Sequence, residues 1–214
     1  MLTEATMILL MLAGCFEHTR EILDVQVNVG KQTVVVDAAY LDVTPDMESV
    51  ATAPLDDVVA KLKDERDATL KRLEGAENLL VRYRLHDAAL DLVIHAEGPF
   101  AFWAAERGEP LRVGTLLSAG DWAHHKAGKP IFGMWFEESA KQQTTFSGTG
   151  PFEVAHLGGD DPKEFVNLVT LRRGKGTFHL ENQLLEDDGT PSKGTGWAAA
   201  IPALPEALKA AGLM

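Results

Sequence analysis

Hydrophobic and polar residues alternate from Val25 to Val29, with Val25, Val27 and Val29 on one side and Gln26 and Asn28 on the other. A period of two marks a half-buried strand, because successive side chains point to opposite faces. Gly30-Lys31-Gln32 supplies a turn, and residues 33–43, rich in β-branched side chains, return as far as Pro45. The pattern predicts a β-hairpin.

The period then changes. Over residues 55–74, Leu55, Val58, Val59, Leu62, Leu70 and Leu73 fall close to one face of a helix. Thr52 is placed to cap it, Pro54 sits by its first turn, and Asp56 and Asp57 suit the positive end of the helix dipole. Asp57/Lys61 and Asp67/Lys71 are acid-before-base pairs four apart, and Gly75 can end the helix. Alternation resumes with Leu79, Val81, Tyr83 and Leu85 against Arg82, Arg84 and His86. Asp87-Ala88-Ala89 turns the chain into a partner strand over residues 90–96.

Beyond Gly98-Pro99 the pattern weakens. Strands are expected over residues 100–105 and 111–117, around Arg107-Gly108-Glu109-Pro110, then a loop over 118–130 and a buried strand over 131–136. Residues 142–163, with six glycines or prolines, read as loop-rich. Residues 165–171 and 177–185 read as a hairpin around Arg173-Gly174-Lys175-Gly176. A polar turn over 186–196, a short apolar stretch over 197–201 and a closing helix over 205–211 complete the chain. There is no internal repeat and no long linker. The expected class is α+β with a mostly antiparallel sheet: a hairpin–helix–hairpin start, further strands and a short C-terminal helix, forming a single domain over residues 22–214.

Ahead of the first strand, residues 5–14 are apolar apart from Thr6 and end at Cys15, the only cysteine. The run is too short for a bilayer core, which needs roughly 20 apolar residues, and matches the middle of a secretory signal. Leu12-Ala13-Gly14-Cys15 resembles, position by position, the lipobox of bacterial lipoproteins. The resemblance implies that residues 1–14 are a signal peptide, that cleavage precedes Cys15, and that its sulfur is diacylated. Residues 15–21 would then form a lipidated tether. It further implies a bacterial cell-envelope location, with membrane lipid engaged through the acyl anchor, and Phe16 after the cysteine implies the outer membrane. The same residues also fit an N-terminal helix or strand with Cys15 as a small buried side chain.

Charge narrows the partners. Thirty-two acidic against twenty basic side chains in 214 residues give a net charge of −12, so no nucleic-acid partner is expected. A lone cysteine permits no internal disulfide, and the 45% of hydrophobic residues must supply the core.

Candidate chemistry is sparse. Asp121-Trp122-Ala123-His124-His125 is the densest polar-aromatic cluster, but adjacent histidines on a strand point apart and no H-E-x-x-H or paired-cysteine spacing occurs. His179 and Glu181 share one face of an expected strand, and His156 lies near Asp160 and Asp161; either arrangement suits acid–base work. Ser147-Gly148-Thr149-Gly150 is turn-like rather than a nucleophile elbow, Gly174-Lys175-Gly176 reads as a turn rather than a phosphate loop, and Asp187-Asp188-Gly189 is only a fragment of a calcium loop. The groups Phe100/Phe102/Trp103 and Phe132/Trp135/Phe136 can serve as core or line an apolar pocket. No catalytic, cofactor or metal site is assigned, and Cys15 lipidation is the one assigned modification. The expected function is that of an envelope lipoprotein acting as a non-catalytic binding or assembly component, with an envelope protein as a possible partner. The alternatives are an exported hydrolase or metal-dependent enzyme using His124, His125, His156 or His179, and a carrier of an apolar ligand.

Overall fold

The alternating valines form the hairpin that their spacing predicts: β1 (Arg20–Asn28) and β2 (Thr33–Leu41) pair antiparallel, with Val25 opposite Val36 and Val27 opposite Val34. The computed structural model describes residues 17–99, 105–106, 109–110, 132–138, 141–158 and 165–214. After the hairpin come a 3-10 turn (Val50–Thr52), α1 (Leu55–Arg72), β3 (Asn78–His86) and β4 (Ala89–Pro99). The short pair β5 (Ala105–Glu106) and β6 (Glu109–Pro110) follows, then β7 (Phe132–Glu138), β8 (Gln142–Thr149), β9 (Phe152–Gly158), β10 (Phe165–Leu171) and β11 (Lys175–Leu184). A 3-10 turn (Trp197–Ala200) and α2 (Leu204–Ala210) close the described chain. The class is α+β, as expected.

The main sheet has six strands in the order β3-β4-β2-β1-β11-β8, all neighbours antiparallel; a second sheet has the order β7-β10-β9. One face of the main sheet is the core. Leu23, Val25, Val36, Tyr40, Leu92, Ile94, Phe178 and Leu180 are buried there, together with Val58, Leu62 and Leu73 of α1 and Leu204 and Leu208 of α2. Phe178 also joins the two sheets, its ring centre 6.1 Å from that of Phe132 and 6.0 Å from that of Phe152. A side chain at Gly176 would collide with the Phe152 ring, so glycine there permits this close approach.

Several expectations are corrected. Residues 17–21 are not a free tether: Glu17 bridges to Thr44, Thr19 Oγ1 donates to the Leu41 carbonyl, and Arg20 and Glu21 open β1. Segment 142–163, expected to be loop-rich, contains β8 and β9, with Gly150 (φ +124°) and Pro151 forming the turn between them. β8 escapes apolar periodicity because it lies at the sheet edge with Phe146 as its one large hydrophobe, while its threonines fit an extended backbone. The expected hairpin of 165–171 with 177–185 is not formed. β10 pairs with β7 and β9, whereas β11 pairs with β1 and β8, so the turn at Gly174 carries the chain from one sheet to the other.

The helix α1 starts as expected but is capped differently. Pro54 holds the cap position without a side-chain hydrogen bond, and Thr52 Oγ1 instead donates to Ser49 Oγ. Lys61 pairs with Glu65, one turn on, at 3.7 Å, rather than with Asp57. The buried stripe runs Val58, Leu62, Glu65, Thr69, Leu73, so two polar residues face inward where only apolar ones were expected. Thr69 is satisfied within the helix, Oγ1 donating to the Glu65 carbonyl at 3.0 Å. Gly75, at φ +104°, turns the chain out of the helix as its lack of a side chain allows. Tyr83 of β3 ties helix to sheet, its hydroxyl donating to the Leu62 carbonyl at 2.9 Å. The N–H of Tyr83 donates to the Leu213 carbonyl, which covers part of the β3 edge. Among the described residues no helix is long and apolar enough to cross a membrane.

Candidate functional site

The second face of the main sheet carries its polar positions. Strand alternation places Asp24 and Gln26 of β1, Asp37 and Val35 of β2, His95 and Val93 of β4, and His179 and Glu181 of β11 there. Register then aligns four of them in one row across four strands. Asp37 lies opposite His95, Asp24 opposite Asp37, and Asp24 opposite His179, so the row reads His95–Asp37–Asp24–His179. His95 Nδ1 is 2.7 Å from Asp37 Oδ1, and His179 Nδ1 is 2.9 Å from Asp24 Oδ1. A carboxylate can only accept, so each Nδ1 carries a proton and donates it. The two carboxylates at the centre face one another as a like-charged cross-strand pair, an arrangement that destabilises a sheet unless something compensates it. Here each acid accepts one hydrogen bond from a histidine, which eases the contact without removing it.

Two further ion pairs lie on this face, while Arg82 and Lys175 extend from it as exposed cations. Arg20 Nη2 is 2.8 Å from Glu181 Oε1, and Arg84 Nη2 is 3.0 Å from Asp91 Oδ2. Beside the acidic row, a shallow groove of about 350 Å³ is lined by Gln26, Asn28, Thr33, Thr149, Lys175 and Thr177, among others. Thr149 and Thr177 share a hydrogen bond of 2.7 Å between their hydroxyls. The groove is rich in groups that both donate and accept.

Of the residues singled out from sequence, His179 and Glu181 do share this face, with Nε2 of His179 3.9 Å from Glu181 Oε2. Ser147 of β8 stands opposite His179, which creates the order Ser147–His179–Asp24 along the row. That order does not assemble a nucleophile, because Nε2 of His179 is directed to Glu181 and no hydrogen bond joins it to Ser147. His156 lies in β9 opposite Asn167 of β10, away from the row. Asp188 is used within its own turn: Oδ1 accepts from Thr190 N at 2.9 Å and Thr190 Oγ1 at 2.6 Å, and these bonds hold its carboxyl below the usual range. Cys15, with the rest of Leu12-Ala13-Gly14-Cys15, lies outside the described residues, as do His124, His125, Asp160 and Asp161. Among the described residues no three of His, Cys, Asp and Glu converge as a metal ion would require.

Sequence reasoning missed Asp24, Asp37 and His95. Part of the signal was present: a hairpin turning about Gly30-Lys31 sets Asp24 against Asp37 by counting outward from the turn. The pairing of β2 with β4 and of β1 with β11 has no such local marker.

A second group of acids is buried on the core face. Burial pushes the Glu21 carboxyl up to about 7, against hydrogen bonds from Asn182 and Tyr40. Its Oε2 accepts from Asn182 Nδ2 at 3.4 Å, while among the described residues Glu21 Oε1 and Asn182 Oδ1 have no donor. Burial likewise raises Glu65 to about 7, with Lys61 opposing. Asp42 is raised by burial and opposed by the backbone amides of Thr195 and Gly196. A Cβ at Gly194 would overlap the Asp42 carboxylate, so this loop closes directly over the acid.

Compared with known proteins, the chain matches no protein-family model, no curated protein and no solved structure.

Proposed function

We propose that the protein is a lipid-anchored component of a bacterial cell envelope that works by binding another protein through the open face of its six-stranded sheet. Anchoring rests on Leu12-Ala13-Gly14-Cys15, whose resemblance to a lipobox places the acyl chains on Cys15. The sheet supports binding over catalysis in the way it divides its polar groups. The observation that carries this reading is the His95–Asp37–Asp24–His179 row, a charged line across a broad half-exposed surface rather than groups converging in an enclosed pocket. The anchor and the face are compatible: Glu17 is already bridged to Thr44, so the domain would sit within a few residues of the membrane surface.

The test is photo-cross-linking in living cells with the full chain. A cross-linking residue at Gln26, on the open face, is compared with one at Asp64, an exposed position of α1. The expected result is membrane-fraction material that forms one defined protein adduct from position 26 and none from 64, with Cys15→Ala shifting the protein out of that fraction. Equal adducts from both positions, or a soluble wild-type product that retains Met1, would overturn it.

A further inference from the structure

We propose that the partner presents a basic polypeptide segment, whose lysine or arginine side chain sits over Asp24 and Asp37 while its backbone lies along the adjoining groove. This rests on the reading of the open face as the binding surface and adds the chemistry of what it binds.

Three observations on that face carry the assignment. The first is the charge at its centre. Asp24 and Asp37 are opposed in register, and their side chains are 56% and 52% exposed, so both remain open to a ligand. Each uses Oδ1 for its histidine, which leaves Oδ2 of each acid to accept from a shared cation. A lysine or arginine held between them relieves the like-charge contact that the fold otherwise tolerates.

The second is the groove beside them. Gln26 lies two residues along β1 from Asp24, Thr177 two along β11 from His179, and Thr149 opposite Thr177. These amides and hydroxyls can meet both the N–H and the C=O groups of an extended backbone, and the Lys175 ammonium in the same groove can donate to its C=O groups. The groove therefore fits a peptide lying beside the charged row.

The third is symmetry, which argues against a second copy of this chain. The row reads histidine–aspartate–aspartate–histidine from either end. Stacking two such faces about a two-fold axis, in register, sets carboxylates on carboxylates. The chain's net charge of −12 favours a partner of opposite sign for the same reason.

The experiment uses the full chain in detergent, a fluorescent hexalysine peptide as probe and hexaglutamate as its opposite, at physiological salt. The expected result is hexalysine binding that weakens about tenfold in Asp24→Asn/Asp37→Asn and less than twofold in Asp56→Asn/Asp57→Asn, which removes the same charge from α1. Equal weakening in the two double variants, no wild-type binding of hexalysine, or preference for hexaglutamate would overturn the proposal. Any of these results beside intact cross-linking from position 26 removes the basic partner alone. Loss of that cross-linking removes the docking face itself.

Discussion

The two faces of the main sheet treat acidic side chains in opposite ways. On the core face Glu21 is 4% exposed, and its carboxyl is pushed up toward neutrality by burial. On the open face Asp24 and Asp37 stay half exposed and each accepts a hydrogen bond from a histidine. Glu21 and Asp24, three residues apart on one strand and set on opposite sides by parity, are therefore acids under different physical rules. Desolvation outweighs the few hydrogen bonds of the buried acid and raises its pKa, whereas the acids of the open face stay accessible to solvent. Under the proposed binding role, the acids on the open face serve recognition.

The contrast can be broken at its strongest point by charging the core face. Leu62 of α1 is fully buried against the sheet, so Leu62→Asp should cost about 3–5 kcal/mol, as an unpaired buried charge does. Thermal and urea melts would read the loss. Coincident melts of variant and wild type would mean that α1 does not bury this stripe.

A smaller effect is expected from proton linkage. Glu21 and Glu65 have folded-state values near 7, above the ordinary 4.5. Between those values the folded state binds more protons than the unfolded state, so stability falls as pH rises from about 4.5 to about 7 and levels off above it. The scale is roughly 3 kcal/mol at most for a fully buried acid, from 1.36 kcal/mol per unit. Glu21→Gln provides an amide that can donate to Asn182 Oδ1 without ionising. It should melt higher than wild type at pH 8 and differ little at pH 5. A pH profile unchanged by the substitution would place the linkage elsewhere.

The smallest effect sharpens the other side of the contrast. His95 is half exposed, and its bond to Asp37 is accessible to water. His95→Gln should move stability by no more than about 0.5 kcal/mol, since exposed pairs contribute little. A loss of several kcal/mol, measured by urea titration, would show that the row holds the sheet together rather than serving as a surface.

What could be seen in the sequence followed the range of the interactions. The β1–β2 and β3–β4 hairpins and α1 are written locally: Val25/Val27/Val29, the Tyr83 alternation and the leucine stripe each complete a period within a few residues. The inward Glu65 broke the apolar stripe and was passed over, because periodicity marks buried hydrophobes and is silent on buried acids. The strands β10 and β11 carry clear patterns around a tight turn, yet nothing local states that the turn leads into another sheet. The candidate row suffered most. Its four residues come from four strands, and two of the three contacts between neighbours depend on long-range pairing, His179 lying 155 residues from Asp24.

That same pairing sets an order in time. β1 is the first described strand to be synthesised and it ends up in the middle of the sheet, between β2 and β11. β2 and β1 can meet early, but the other edge of β1 has no partner until the chain has grown as far as Lys175–Leu184. Until then a strand bearing Leu23, Val25 and Val27 displays open backbone, the kind of edge that recruits a neighbouring chain. Folding is accordingly gated by the last third of the polypeptide, and such distant closure is slow. Chains halted before β11 are the ones expected to aggregate during synthesis, with the open edge of β1 as the point of contact.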